Sequence, residues 1–255
     1  MNAVCRILSL PAVLLTQVPG IGPFVKAAST SVGQKIVMAI TGLLLCGFLV
    51  THLAGNLLLY AGAEQFNHYA ETLHSYGPLL NAAEIGLFSL FIAHIGLAFS
   101  TTAMNRQARQ NQYAVKETKQ EPFALPGGGA SGWMLVTGLI IAFFLIVHVT
   151  DMRLKMNPFI DYSSSYENGT DAPPNEYLAV RLALTNWTTG AYVLGLVALG
   201  IHLSHGIRSA LQTLGFNHPR WNRLLEICSL LFAWTITLGF LSLLAWAALT
   251  SGATG

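Results

Sequence analysis

His52, His94, His148 and the pair His202 and His205 stand inside long apolar runs. An ionisable side chain in hydrocarbon is costly and marks a functional position by default. A single such histidine is as well explained by a hydrogen bond to a neighbouring helix as by chemistry. Histidines in four separate runs ask for a shared task. Imidazole is a good ligand for iron. Two imidazoles on opposite sides of one iron leave no open position, which favours electron transfer over oxygen chemistry.

The elements that must position them follow from composition. The chain has 255 residues, 53% hydrophobic and 9% charged, with a mean hydropathy of +0.53. Soluble domains carry about 25% charged residues, so the depletion points to the bilayer as solvent. Five runs are long enough to span about 30 Å of hydrocarbon: 35–60, 82–104, 133–152, 187–211 and 224–248. All five are expected to be helices, because each backbone polar group must pair within its own segment. The expected fold is an all-α integral membrane protein of five transmembrane helices, four of them forming a haem-binding bundle. A membrane domain over 35–249 follows a cytoplasmic or interfacial segment over 1–34. That segment holds an apolar stretch after Arg6 that is similar to a signal peptide but is interrupted by Pro11. Residues 105–132 read as a linker, with PGGG at 126–129.

Net charge is only +2, which gives no basic surface for nucleic acid. Cys5, Cys46 and Cys228 form no CxxC, zinc or CxxCH pattern. Lysine and arginine crowd the N-terminus, the linker and the segment after helix four, whereas the other side holds only Arg153, Lys155 and Arg181. The positive-inside rule then places the N-terminus in the cytoplasm and the C-terminus outside.

Depth sorts the histidines. His52 and His148 lie about 25 Å from the inner face, and His94 and His202 about 9–18 Å from it, two layers separated by about 10 Å. Two layers of paired ligands would stack two haems across the membrane. Helix one reads TGLLLCGFLVTH and helix three TGLIIAFFLIVH, each placing Thr-Gly ten residues before a histidine. Gly42, Gly55, Gly96, Gly138 and Gly206 lie near the histidines, where a flat macrocycle needs gaps, although small residues also serve ordinary helix packing. In HLSH either His202 or His205 can ligate, since three residues apart they share a face. Arg153, just beyond His148, is a candidate partner for haem propionates or a snorkelling helix-end residue. His68, His74 and His218 fall in expected loops as solvated histidines. Glu64, Glu71, His74 and Tyr76 on the outer side are candidates to bind a quinone headgroup or to anchor the loop.

The segments SVGQK followed by TG (31–42), THLAGN (51–56), FIAHIGLA (91–98), VHVTDMR (147–153) and HLSHGIRSALQTLG (202–215) carry a family resemblance. Over about residues 30–248 the chain resembles the membrane-anchor cytochrome b subunit of succinate:quinone oxidoreductases. The type is the single-chain, five-helix, dihaem one of succinate dehydrogenases and fumarate reductases. The resemblance implies two haems b. His94 and His202 would ligate the haem nearer the catalytic subunits, and His52 and His148 the distal one; His205 falls where the family varies. It implies membrane quinone, menaquinone above all, as substrate. A flavoprotein subunit carrying FAD would handle succinate or fumarate, and an iron–sulfur subunit would connect the two. It also implies a bacterial-type cytoplasmic membrane and a place in the respiratory chain and the tricarboxylic acid cycle, and it leaves a higher oligomer of the complex open. One position departs: some fumarate reductases carry a glutamate two residues before the fourth ligand, as part of a proton path, and here that residue is Gly200.

Rival readings are a dihaem cytochrome b of another quinone-linked oxidoreductase, a transporter with a histidine relay, and a haem-free anchor. Other dihaem cytochromes place both ligands of a pair on shared helices, and transporters show broken helices and inverted repeats.

Overall fold

The computed structural model describes residues 22–108, 129–165, 175–186 and 188–250. Residues 1–21, including the Arg6 and Pro11 stretch and Cys5, lie outside these, as do 109–128 of the expected linker and Trp187, the expected start of helix four. Among the described residues the regular structure is helical. In chain order it comprises α1 (Gly22–Ser29), α2 (Ser31–Asn56, continued by a tight turn Leu57–Ala61), α3 (Ala63–Ser75), α4 (Pro78–Gln107), α5 (Gly129–Met152), α6 (Glu176–Leu184), α7 (Thr189–Thr213) and α8 (Pro219–Thr250).

Helices α2, α4, α5, α7 and α8 are each long and apolar enough to cross a bilayer, which makes the chain a multi-pass membrane protein. Large apolar side chains stand exposed along them, among them Ile85, Ile92, Phe143, Ile146 and Leu238. In water that pattern would be costly; in lipid it is the expected outer surface. Helices α4 and α8 overrun the ranges read from hydropathy at both ends. Prolines open α4 at Pro78 and α8 at Pro219, and proline suits the first helical turn, where its missing N–H has no intrahelical partner.

Two connections are more ordered than expected. The 61–81 segment, read as a loop, contains α3, bounded by Gly62 (φ +99°) and Gly77 (φ +50°). Phe66 on α3 is buried, whereas Glu64, His68 and Glu71 face out. The 153–186 segment contains α6, capped by Asn175, whose Oδ1 accepts from Leu178 N at 3.1 Å. Asn67 of α3 joins that cap: its Nδ2 donates to Asn175 Oδ1 at 3.1 Å and its Oδ1 accepts from Tyr177 N at 2.9 Å. The two connections are thereby tied to each other at one end of the bundle.

Antiparallel neighbours set the architecture. Ser100 of α4 donates to Gln34 of α2, Phe144 of α5 seats against Gly195 of α7, and Thr237 of α8 fills the space beside Gly200 of α7. The apolar core lies between α2, α7 and α8, around Leu53, Leu196, Leu203, Ile236 and Leu243. Helix α4 packs principally on α2. Gly33 forms the elbow between α1 and α2, where the Ala27 carbonyl occupies the place of a Cβ.

Asp151, 1% exposed at the end of α5, gathers the chain around it. Its carboxylate accepts from Asn157 Nδ2 (2.6 Å), Tyr192 OH (3.0 Å) and Thr188 Oγ1 (3.3 Å), and its carbonyl accepts from Tyr162 OH (2.7 Å). A buried carboxylate is tolerable only with such partners. Replacing Asp151 with Ala strands three donors, and the expected loss is about 3 kcal/mol in denaturant unfolding in detergent. Burial, helped by the Asp151 charge, raises the Tyr162 phenol to about 12. An unfolded tyrosine ionises near pH 10, so the docking of Tyr162 is fully stabilising below pH 10 and is lost as pH rises to 12. The thermal midpoint should fall across that window, and fall less in Tyr162→Phe.

Candidate functional site

One cavity of about 900 Å³ runs through the bundle between α2, α4, α5 and α7. His52, His94, His148, His202 and His205 all line it. The four expected ligand positions and their alternative are thus brought to one space, from four different helices.

His52 on α2 and His148 on α5 meet across the cavity, with ring centroids 5.7 Å apart and planes at 86°. Phe48 stacks on His52 at 5.1 Å, and Phe240 of α8 lies 5.6 Å from it. Phe144 and Tyr192 hold His148 at 5.6 and 5.9 Å. The Tyr192 hydroxyl reaches Asp151, so the His148 ring is indirectly braced by the buried carboxylate. The Nδ1 of His148 is itself buried with no hydrogen-bond partner.

The other two rings are held differently. His94 Nδ1 lies 3.1 Å from Thr41 Oγ1 on α2, and His202 Nδ1 lies 3.1 Å from Thr137 Oγ1 on α5. Beside each threonine is the glycine of its Thr-Gly pair. A Cβ on Gly42 would stand 3.2 Å from His94 Cε1, and one on Gly138 would stand 3.6 Å from His202 Cε1. Thr41 and Thr137 each stand eleven residues before His52 and His148 on parallel helices. That is about 16 Å of helix. The His94–His202 layer is therefore further from the His52–His148 layer than the expected 10 Å, because loop charges marked the depths only coarsely.

The remaining candidates separate. His74 lines the cavity at its Arg153 end, together with Tyr69 and Glu176. Glu64, Glu71 and Tyr76 are exposed and do not line it. Arg153 makes a two-point ion pair with Glu84 of α4, at 2.9 and 3.1 Å, and is not among the lining residues. His68 is exposed on α3, and His218 is exposed where α7 meets α8. A longer side chain at Gly200 would have to displace Thr237, since a Cβ would stand 2.7 Å from Thr237 Oγ1. Gly215, φ +100°, turns the chain after α7.

Sequence reading missed Thr41, Thr137, Tyr69, Phe144 and Tyr192. The repeated Thr-Gly was visible, but it looked like a depth marker for the histidine on its own helix. It bonds the histidine of the next membrane helix instead.

Tyr69 of α3 reaches into the notch at Gly55, where a Cβ would stand 2.5 Å from its hydroxyl oxygen. Gly55→Val must displace that ring, and the expected loss is about 1–3 kcal/mol in detergent unfolding. Gly47→Val, on the same helix with open space around it, should stay within about 0.5 kcal/mol. Comparison with known proteins finds no family model, curated protein or solved structure that matches this chain.

Proposed function

We propose that this chain is the membrane-anchor cytochrome b subunit of a succinate:quinone oxidoreductase, holding two haems b between four histidines in two layers. The observation that carries this reading is the pairing of His52 with His148 across one cavity that His94 and His202 also line. With metal–imidazole bonds of about 2 Å and about 1 Å from each nitrogen to its ring centre, two imidazoles holding one metal between them would stand about 6 Å apart. The 5.7 Å between these ring centroids suits that requirement. Among the described residues no group of three or more His, Cys, Asp or Glu side chains could hold a bare metal ion. Each layer offers two imidazoles, so a metal there must bring its other ligands with it, as a macrocycle does. The unpartnered Nδ1 of His148 and the glycines beside His94 and His202 agree with a site built around a flat, bulky guest.

In this reading His94 and His202 hold one haem and His52 and His148 the other. When bound, each haem supplies a one-electron carrier at a potential tuned by its ligands and their burial. The chain's own residues fix the rings, exclude water with Phe48, Phe144 and Phe240, and keep the layers apart. The Lys35, Arg106 and Arg208 end faces the cytoplasm by the positive-inside rule and meets the iron–sulfur subunit, which in turn carries the FAD-containing flavoprotein. Quinone, menaquinone above all, reacts at the opposite end, where His74 is the candidate that lines the cavity. Arg153, paired with Glu84, serves there as a strut between α4 and α5.

The test is a reduced-minus-oxidised spectrum with haem quantification on the purified complex. Two b-type haems per chain, reducible by succinate, are expected, and His148→Ala should retain one. A fully assembled complex without haem would overturn the reading.

A further inference from the structure

Thr41 and Thr137 do more than fill space. A threonine hydroxyl has one hydrogen to donate and lone pairs to accept. Thr41 Oγ1 donates to the Met38 carbonyl at 3.0 Å. Thr137 Oγ1 donates to the Trp133 carbonyl at 2.9 Å, with the Met134 carbonyl at 3.2 Å. The same turn also offers each ring a backbone carbonyl, Met38 for His94 and Met134 for His202, which can only accept. With its own hydrogen committed to its helix, each hydroxyl accepts alongside it from the imidazole 3.1 Å away. The imidazole must therefore carry its proton on Nδ1.

We infer that Thr41 and Thr137 are positioning residues that lock His94 and His202 as Nδ1–H tautomers, leaving Nε2 of each as the nitrogen free to bind iron. This rests on the dihaem reading above. The arrangement occurs twice, on two helix pairs, with the same atoms and the same distance. Gly42 and Gly138 complete it by letting each ring lie against the neighbouring backbone. The His52–His148 layer lacks it: His148 Nδ1 has no acceptor. An acceptor on the far nitrogen orients a ligating imidazole and raises its basicity, and losing it costs about 10–100-fold in metal affinity. A more basic ligand favours the ferric state, so the threonines act on one haem of the two.

The experiment is a potentiometric titration of both haems in the intact complex, with Thr41→Val, Thr137→Val and the corresponding serine variants. Valine keeps the shape and removes the hydroxyl acceptor, leaving only the backbone carbonyl of Met38 or Met134; serine keeps the hydroxyl. Each valine should raise the midpoint of the same single haem by a tenfold shift in relative ferric affinity, about 59 mV for one electron. The other haem should stay put, and serine should restore the wild-type value. Loss of that one haem in valine but not in serine would support the inference equally. Unchanged potentials with both haems retained would overturn it while leaving the dihaem reading intact. Equal shifts of both haems, or equal damage by serine and valine, would reduce the threonines to packing and also overturn it. A wild-type complex without haem would overturn the dihaem reading, and the inference with it.

Discussion

An imidazole in hydrocarbon has two ring nitrogens and no water to satisfy them. Most of the arrangement in this protein answers that constraint. Two histidines are satisfied on one side by threonines of the neighbouring helix, and a third is packed among aromatic rings with one nitrogen unmet. All of them face a cavity that the four surrounding helices leave open. Helices could close such a space by moving together, as bundles of apolar segments ordinarily do. Here α4 leans on α2 and α5 on α7, α2 also packs on α7, and the histidines face the space the four helices enclose.

The Arg153 end shows what ties the elements together. Asp151 draws Asn157, Thr188 and Tyr192 onto one carboxylate. Asn67 and Asn175 knot α3 to α6. These are directional contacts, and in lipid, where apolar surfaces have little preference for one another, directional contacts and close packing fix helix positions. The braces sit just beyond the His52–His148 pair, one joining α5 to α7 and the other α3 to α6.

The five spans were legible in the sequence because hydropathy over twenty residues is a strong, local signal. Their ends were not: the polar run 219–223 continues the helix without adding hydropathy, and at 78–81 Pro78 and Asn81 flank Leu79 and Leu80 and break the apolar signal. Helix α3 was hidden for a related reason: only Phe66 of its residues is buried, so no apolar period stood out. The histidines themselves were conspicuous by type and place. Their surroundings were not, since a threonine one helix away is joined to its histidine by folding and not by spacing. Arg153 illustrates the same gap, because nothing near it in sequence pointed to Glu84.

The threonine contacts also divide the chain. Thr41 and His94 belong to one hairpin, α2 to α4, which also carries His52. Thr137 and His202 belong to a second, α5 to α7, which also carries His148. Each hairpin bends at the same end through a short helix, α3 or α6. Each contributes one threonine-bonded histidine to one layer and one histidine to the other, and neither supplies a pair by itself. The two hairpins share this Thr-Gly and histidine plan, and α8 packs against the second at Gly200. Both histidine pairs therefore exist only where the two hairpins pack together, and in the proposed reading a cofactor would be gripped from both sides only there.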